Sequence, residues 1–440
     1  MPLFEALILV ASIVVLVIAT QSRHLHVFLA LVVVAAAFGL ACGFSISQIG
    51  KTFGNGFAQA AYSPGLVIVA AALVSAIADS AGASAPVWRW LSGRWIAACL
   101  GLVAGAAASP SAAFATVTPL LPPAGDGGKA RGSTVALALA LSASHGLFVF
   151  SPVPIAAVAI LDASWLRVAL YGVPLVLVLA AFGAAWSRWS SGEAKAPTPA
   201  PPTVGAAQHV WPRLVLILAV AVPIALQIAQ SIGDIPSEPL GGGGSRELVI
   251  GVGRPLILLL VGVGIMVIGE WRQSAMLLSD SDWVGRVLGN AAGVFLIVGA
   301  ALGFQRLCQE TGMAELFGER VLGLPVGAAG AVLVPFLTAA AIKTLQGSSL
   351  VAAITAAGMV QPILVPLGLA DGTGKALAAL AIGAGAMTVA HVNDDYFWLV
   401  TTTARLTPLR GLRDFSLGAL FQGLIAVAAL LAMSALMPRP

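Results

Sequence analysis

The chain has 440 residues, of which 59% are hydrophobic and only 9% charged, with a net charge of +4. Soluble domains carry about 25% charged residues, so this composition cannot clothe a soluble surface and reads as a polytopic, all-α membrane protein. The slight positive balance suits basic residues in cytoplasmic loops and gives no reason to expect nucleic acid as a partner.

Apolar runs long enough to cross ~30 Å of hydrocarbon recur along the chain. They fall at about 2–20, 27–45, 64–81, 133–149, 168–187, 210–231, 247–268, 285–305, 375–390 and 415–436. The first has no basic leading segment and no clear cleavage site, and another apolar run follows at once, so it reads as a helix rather than a signal peptide. Two longer apolar blocks do not read as single helices. Residues 95–121 are interrupted at Ser109-Pro110-Ser111, and residues 321–366 are interrupted between Lys343 and Ser349. Each predicts a re-entrant hairpin, two short helices meeting at a polar tip, tolerated at membrane depth only where it lines a cavity or is buried in protein. Residues 188–209, rich in Pro, Ala and Thr, read as a cytoplasmic linker between two halves, 1–187 and 210–440. Gly241 to Ser245 reads as a second linker and lacks the ending of a phosphate-binding loop. Cys42, Cys99 and Cys308 are too few and too scattered for a disulfide framework or a zinc site. No metal site is expected.

Basic residues set an expected topology. Arg23, Arg89 and Arg94, Lys129 and Arg131, Arg188 and Lys195, and Arg405, Arg410 and Arg413 can all face the cytoplasm. The first hairpin then enters from inside and the second from outside. Matching features follow one another in both halves. Asp79 to Gly82 ends a span in the first half and Glu310 to Gly312 ends one in the second; the plainer reading of both is a solvated helix end with a glycine stop. Each is followed by a serine-bearing tip and then by a span ending in Ser144-His145 or Ala390-His391. Pro152 and Pro154 disturb the chain after the first histidine, and Asn393-Asp394-Asp395 after the second. Two inverted-topology repeats with broken helices in corresponding places point to the binding site of a secondary transporter.

The strongest single signal is His391-Val392-Asn393-Asp394-Asp395-Tyr396-Phe397-Trp398, which closes an otherwise apolar segment. Ionisable groups at membrane depth cost about 2.5–3.5 kcal/mol each on insertion scales and mark substrate, ion or proton sites. This stretch, together with Gln346-Gly347-Ser348-Ser349-Leu350-Val351-Ala352, Asp79-Ser80-Ala81-Gly82-Ala83 and Phe53-Gly54-Asn55-Gly56, resembles the gluconate permease family, gluconate:proton symporters of the ion-transporter superfamily. The resemblance covers most of the chain. It implies a scaffold plus a transport domain, a proton-coupled symporter in the cell inner membrane, and a sugar acid or related small hydroxylated carboxylate as substrate. The first span of each half would belong to the scaffold, which often makes oligomer contacts in this superfamily, so a homo-oligomer is among the expected assemblies. The chain departs from the family pattern in places. Lys343 stands where arginine is usual, Ser109-Pro110-Ser111 replaces Phe-Phe-Asp, Ser151 stands at a second histidine, and Asp395-Tyr396 replaces Ser-Gly. The second half is thus well preserved and the first eroded.

Hairpin tips suit an anion because helix ends meeting there present unpaired N–H groups and a positive dipole end. The expected substrate contacts are Ser109, Ser111 and His145 in the first half and Lys343, Gln346, Gly347, Ser348, Ser349 and Asn393 in the second. Gly347 would admit close approach of the backbone, and the serine hydroxyls suit a polyol. Lys343 would meet the carboxylate as a point charge; snorkelling to an interface is the plainer alternative. His391, Asp394 and Asp395 are the expected proton carriers, with Asp394 preferred because it matches the family motif. No cofactor is expected beyond the coupling proton. A sodium-coupled carboxylate transporter, with Asn393, Asp394 and tip carbonyls around the cation, is the alternative. An intramembrane enzyme is a remote one, since neither His-Glu-x-x-His nor a nucleophile elbow is present.

Overall fold

A computed structural model describes residues 2–21, 25–62, 64–84, 87, 93–107, 109–122, 128–190, 210–235, 238–239, 242–313, 315–316, 319 and 330–436. The described residues form helices and no strands. In chain order the helices are α1 (Pro2–Gln21), α2 (Val27–Ala41), α3 (Ile46–Tyr62), α4 (Pro64–Ser80), α5 (Arg94–Ala104), α6 (Pro110–Val117), α7 (Gly128–Leu147), α8 (Pro152–Leu161), α9 (Trp165–Ser190) and α10 (Val210–Gly233). The second half continues with α11 (Gly244–Val252), α12 (Pro255–Gly269), α13 (Trp271–Ser279), α14 (Ser281–Glu310), α15 (Leu333–Gln346), α16 (Ser349–Val360), α17 (Gly372–Ala386), α18 (Asp395–Thr403), α19 (Pro408–Gly411) and α20 (Leu417–Leu436). Five helical stretches among the described residues are long and apolar enough to cross a membrane, or seven if two bent pairs each count as one span. Large apolar side chains such as Ile18, Leu166 and Ile268 stand on the outside, while Ser144, Gln422, Asn393 and Asp394 are buried, the inverse of a soluble protein. The chain is a multi-pass membrane protein.

Two groups of helices emerge from the packing. In one, α14 lies against α2, α3 and α4, and α12 joins α4 to α10. In the other, α7 lies between α5 and α9, while α17 packs on α8, α15 and α20. The groups meet where α4 touches α6 and where α14 touches α18. Small residues allow the close crossings, because apolar side chains gain nothing by leaving lipid and association depends on tight contact. A Cβ on Gly101 would lie 2.4 Å from the Leu137 carbonyl oxygen, and one on Gly383 would lie 2.0 Å from that of Gly146. Gly383→Ala is therefore expected to force α7 and α17 apart and to lower stability in detergent by about 1–3 kcal/mol, read as a drop in the thermal midpoint.

The helix α3 is not among the expected apolar spans. Its glycine-rich segment forms an amphipathic helix laid on α14, with the Phe53 and Phe57 rings against Gly303 and Gly299. The expected span 247–268 is also broken. Here α11 and α12 meet at a 61° bend. The cause is local: Pro255 starts α12, and Gly253 sits so close to Gln230 that a Cβ would lie 2.4 Å from that side chain. The glycine stops at Gly82 and Gly312 have φ of 68° and 66°. Arg23, Arg89, Lys195 and linker positions 191–209 lie outside the described residues, as do positions 321–329 at the start of the expected second hairpin.

Candidate functional site

Four interruptions of helical structure converge on one region. The first separates α5 from α6. There Ser109 caps α6 by accepting the Ala112 N–H at 3.4 Å, and Pro110 occupies the first helical position, where its missing donor costs nothing. The second separates α15 from α16. Gly347 takes φ of 80°, ending α15, and Ser348 caps α16 by accepting the Val351 N–H at 3.4 Å. The helix persists as far as Gln346, so Lys343 is a residue of its last turn rather than of the tip.

The third interruption follows α7. Ser151 donates to the carbonyls of Gly105 at 3.0 Å and Ser144 at 2.9 Å, tying this turn to the first break. Pro152 and Pro154 then fall in the first turn of α8. The chain is disturbed after the first histidine as expected, and the Ser144 carbonyl accepts from the Ser151 hydroxyl. The fourth interruption follows α17, which stops at Ala386 and not at residue 390. Residues 387–394 are non-helical, and Val389 has φ of 47°, a left-handed conformation that a β-branched side chain rarely adopts. Side chains satisfy the carbonyls so exposed: Ser416 donates to Ala390, and the Trp398 indole to Val392 at 2.8 Å. Asp394 caps α18 by accepting the Tyr396 N–H at 2.9 Å.

Three of these breaks, the first, second and fourth, together with the end of α7, border a cavity of about 370 Å³, within the range of small-molecule sites. Ser109, Ser111 and His145 line it from the first half; Lys343, Gly347, Ser348, Ser349, Asp394 and Asp395 line it from the second. Two other expected contacts, Gln346 and Asn393, and one expected proton carrier, His391, are not on its wall. Gln346 donates to Glu315 at 2.7 Å. The Asn393 amide donates to the carbonyls of Thr344 at 3.0 Å and Leu345 at 3.2 Å, and His391 Nε2 lies 2.7 Å from the Thr344 carbonyl oxygen. Asn393 and His391 thus clamp the end of α15. The fit at this clamp is tight: a Cβ on Gly347 would lie 2.2 Å from the Asn393 carbonyl oxygen.

The charges are unevenly matched. Lys343 is ion-paired with Asp394, their side chains only 3% and 5% exposed, and it also donates to the Gly347 carbonyl. Asp395, one residue on, makes no ion pair with a second lysine among the described residues; the Ser111 hydroxyl donates to it at 2.5 Å, joining the first break to the fourth. The site therefore gathers two carboxylates around one ammonium. His145 Nδ1 lies 3.4 Å from the Gly105 carbonyl oxygen, held within the first-half breaks. Tyr396 anchors the cluster by donating to the Ala138 carbonyl at 3.0 Å and by stacking edge-on with Phe114.

The opposite wall was not anticipated. Gln59 of α3 and Gln305, Arg306 and Gln309 of α14 face the same cavity. The signal was present as a polar stripe at positions i, i+1 and i+4 near the end of an apolar 30-residue helix. Glu310, at the next position, is ion-paired with Arg306 at 2.9 Å, so the solvated helix end expected there carries a charge partner.

An all-helical, multi-pass membrane protein whose polar groups converge on a chamber between broken helices belongs to the class of small-solute permeases. The description "GntP family permease" matches residues 3–436, and the chain belongs to that family. It is 27% identical to a gluconate permease of Pseudomonas aeruginosa over 90% of each chain. It is also 25% identical to the Gnt-II system L-idonate transporter of Escherichia coli over 98% of each, and 24% identical to a gluconate permease of Zymomonas mobilis over 97% of each. The protein is a transporter, not an enzyme.

Proposed function

We propose that this permease is a proton-coupled symporter that imports gluconate or a closely related sugar acid by alternating access. The observation that carries the reading is the shared cavity: one helix break and the end of α7 from the first half, two helix breaks from the second, and a buried cluster of two carboxylates and one lysine border one chamber. In this reading residues 1–187 and 210–440 are inverted repeats, α5–α6 and α15–α16 are re-entrant hairpins, and the group containing them moves against the group around α14. The names of the relatives point to sugar acids as the substrate class, and another relative is named an inner membrane permease, which places the expected site of action. Serine hydroxyls at both tips supply donors and acceptors for a polyol. Asp395 is the coupling group this arrangement favours, because a proton there cancels the surplus carboxylate charge left after Lys343 pairs with Asp394. Its bond to Ser111 lets the proton state act on the contact between the two halves.

The test is Asp395→Asn in proteoliposomes. Exchange of labelled gluconate against internal gluconate is expected to continue, while accumulation driven by an alkaline interior falls to equilibration. Accumulation at the wild-type level would remove Asp395 from the coupling role.

Sodium coupling is the second reading. It draws on two buried oxygens with no hydrogen-bond partner, Asn393 Oδ1 and Gln346 Oε1, the type of hard ligand a small cation takes. Undiminished, proton-driven uptake in sodium-free buffer would exclude it.

A further inference from the structure

We infer that Arg306 of α14, not Lys343, is the anchor for the substrate carboxylate. This rests on the reading of the cavity as the sugar-acid site. The two cations on the cavity wall differ in what already holds them. Lys343 is nearly fully buried, is ion-paired with Asp394 and donates to the Gly347 carbonyl. Two of its three ammonium donors are thus taken and Asp394 already neutralises its charge, so a substrate carboxylate there would crowd a further anion around one paired cation. Arg306 carries no such obligation. Its partners are Glu310 at 2.9 Å, an exposed pair one helical turn away, and the Gln309 side chain at 3.4 Å. Exposed pairs of this spacing are weak, and a guanidinium has five donors, so these contacts orient the group while leaving N–H bonds to offer.

The chemistry of the surround fits the same end of the substrate. A planar fork receives a carboxylate through two parallel hydrogen bonds, which a lysine cannot do. Beside Arg306, Gln305 is 5% exposed, faces the cavity and makes no side-chain hydrogen bond to any described residue. Its amide can donate to one hydroxyl and accept from another. With Gln59 across the gap on α3, the α14 wall offers one cationic fork and two amides, a pattern for an α-hydroxy acid. The hairpin-tip serines face it from the other helix group. A bound hydroxy acid would then bridge the two groups, carboxylate on α14 and polyol tail on the tips.

The experiment measures uptake of labelled gluconate into proteoliposomes by wild type, Arg306→Gln and Arg306→Lys, with unlabelled gluconate or its neutral amide as competitor. The expected result for Arg306→Gln is a rise in KM of about 10- to 100-fold, the loss of one charge-assisted bidentate contact, with kcat little changed. The same variant should lose the preference for acid over amide, and Arg306→Lys should recover part of both. An unchanged KM, or a raised KM with the acid preference intact, overturns the assignment; the second pattern would mark a merely structural role. If Arg306→Gln matches a wild type that transports gluconate, only the anchor falls. If wild type transports no sugar acid, the proposed function falls with it.

Discussion

Asp394→Asn is expected to abolish substrate accumulation and to destabilise the protein by about 3–5 kcal/mol, the range for removing one partner of a buried ion pair. The substitution is nearly isosteric, and asparagine caps a helix as well as aspartate does, so the hydrogen bond to the Tyr396 N–H is preserved. What changes is the charge. Lys343 would keep the Gly347 carbonyl but lose its paired carboxylate, with only the unpaired Asp395 left in the cluster. The double variant Lys343→Met, Asp394→Asn separates stability from transport. Removing both charges should restore most of the thermal midpoint while accumulation stays absent. Full accumulation by Asp394→Asn alone would show that the pair is dispensable to the transport cycle.

Gly347→Ala is expected to be equally severe for a different reason. The position has φ of 80°, and holding a non-glycine residue there costs about 1–3 kcal/mol before any contact is considered. The added methyl would also meet the Asn393 carbonyl oxygen at 2.2 Å, a backbone atom that cannot swing aside. The α15–α16 tip must shift away from the His391–Asn393 clamp, carrying the Ser348 and Ser349 hydroxyls with it. Membrane-inserted protein with sugar-acid uptake reduced by tenfold or more is the expected outcome, equivalent to about 1.4 kcal/mol or more of lost transition-state stabilisation. Wild-type uptake would mean that the tip geometry does not govern transport. Gly358 in α16, where a Cβ meets nothing within 4 Å, is the matched control, and Gly358→Ala should be silent.

The breaks themselves were legible in the sequence because they depend on local chemistry. Ser109-Pro110 is a capping residue followed by a first-turn proline, Gly347-Ser348 is a left-handed stop followed by a cap, and both occur where predicted. Part of the second-half motifs, Gly347, Ser348, Ser349, Asp394 and Asp395, lines the cavity. What could not be read was the direction each side chain takes. Asn393 and Asp394 are adjacent, yet Asp394 faces the chamber and Asn393 the end of α15, because the segment is non-helical here, Asp394 is extended, and successive side chains of an extended chain point to opposite sides. Pairing at long range was equally hidden. Lys343 lies 51 positions from Asp394, and Ser111 lies 284 from Asp395. The α14 wall escaped notice for the opposite reason: Gln305, Arg306 and Gln309 sit in a helix apolar enough to pass as a plain span. The break between α11 and α12 was missed because Gly253 and Pro255 fall inside an otherwise continuous apolar run.

The central claim is that tips from both halves border one substrate chamber, and substrate protection of engineered cysteines tests it most directly. With Cys42, Cys99 and Cys308 replaced by alanine, single cysteines would be placed at Ser109 and at Ser349 and labelled with a small water-soluble maleimide. Gluconate is expected to slow labelling at both positions, and its neutral amide to do so less. Protection at only one of the two, or equal labelling with and without gluconate at both in a transport-competent protein, would contradict a shared site.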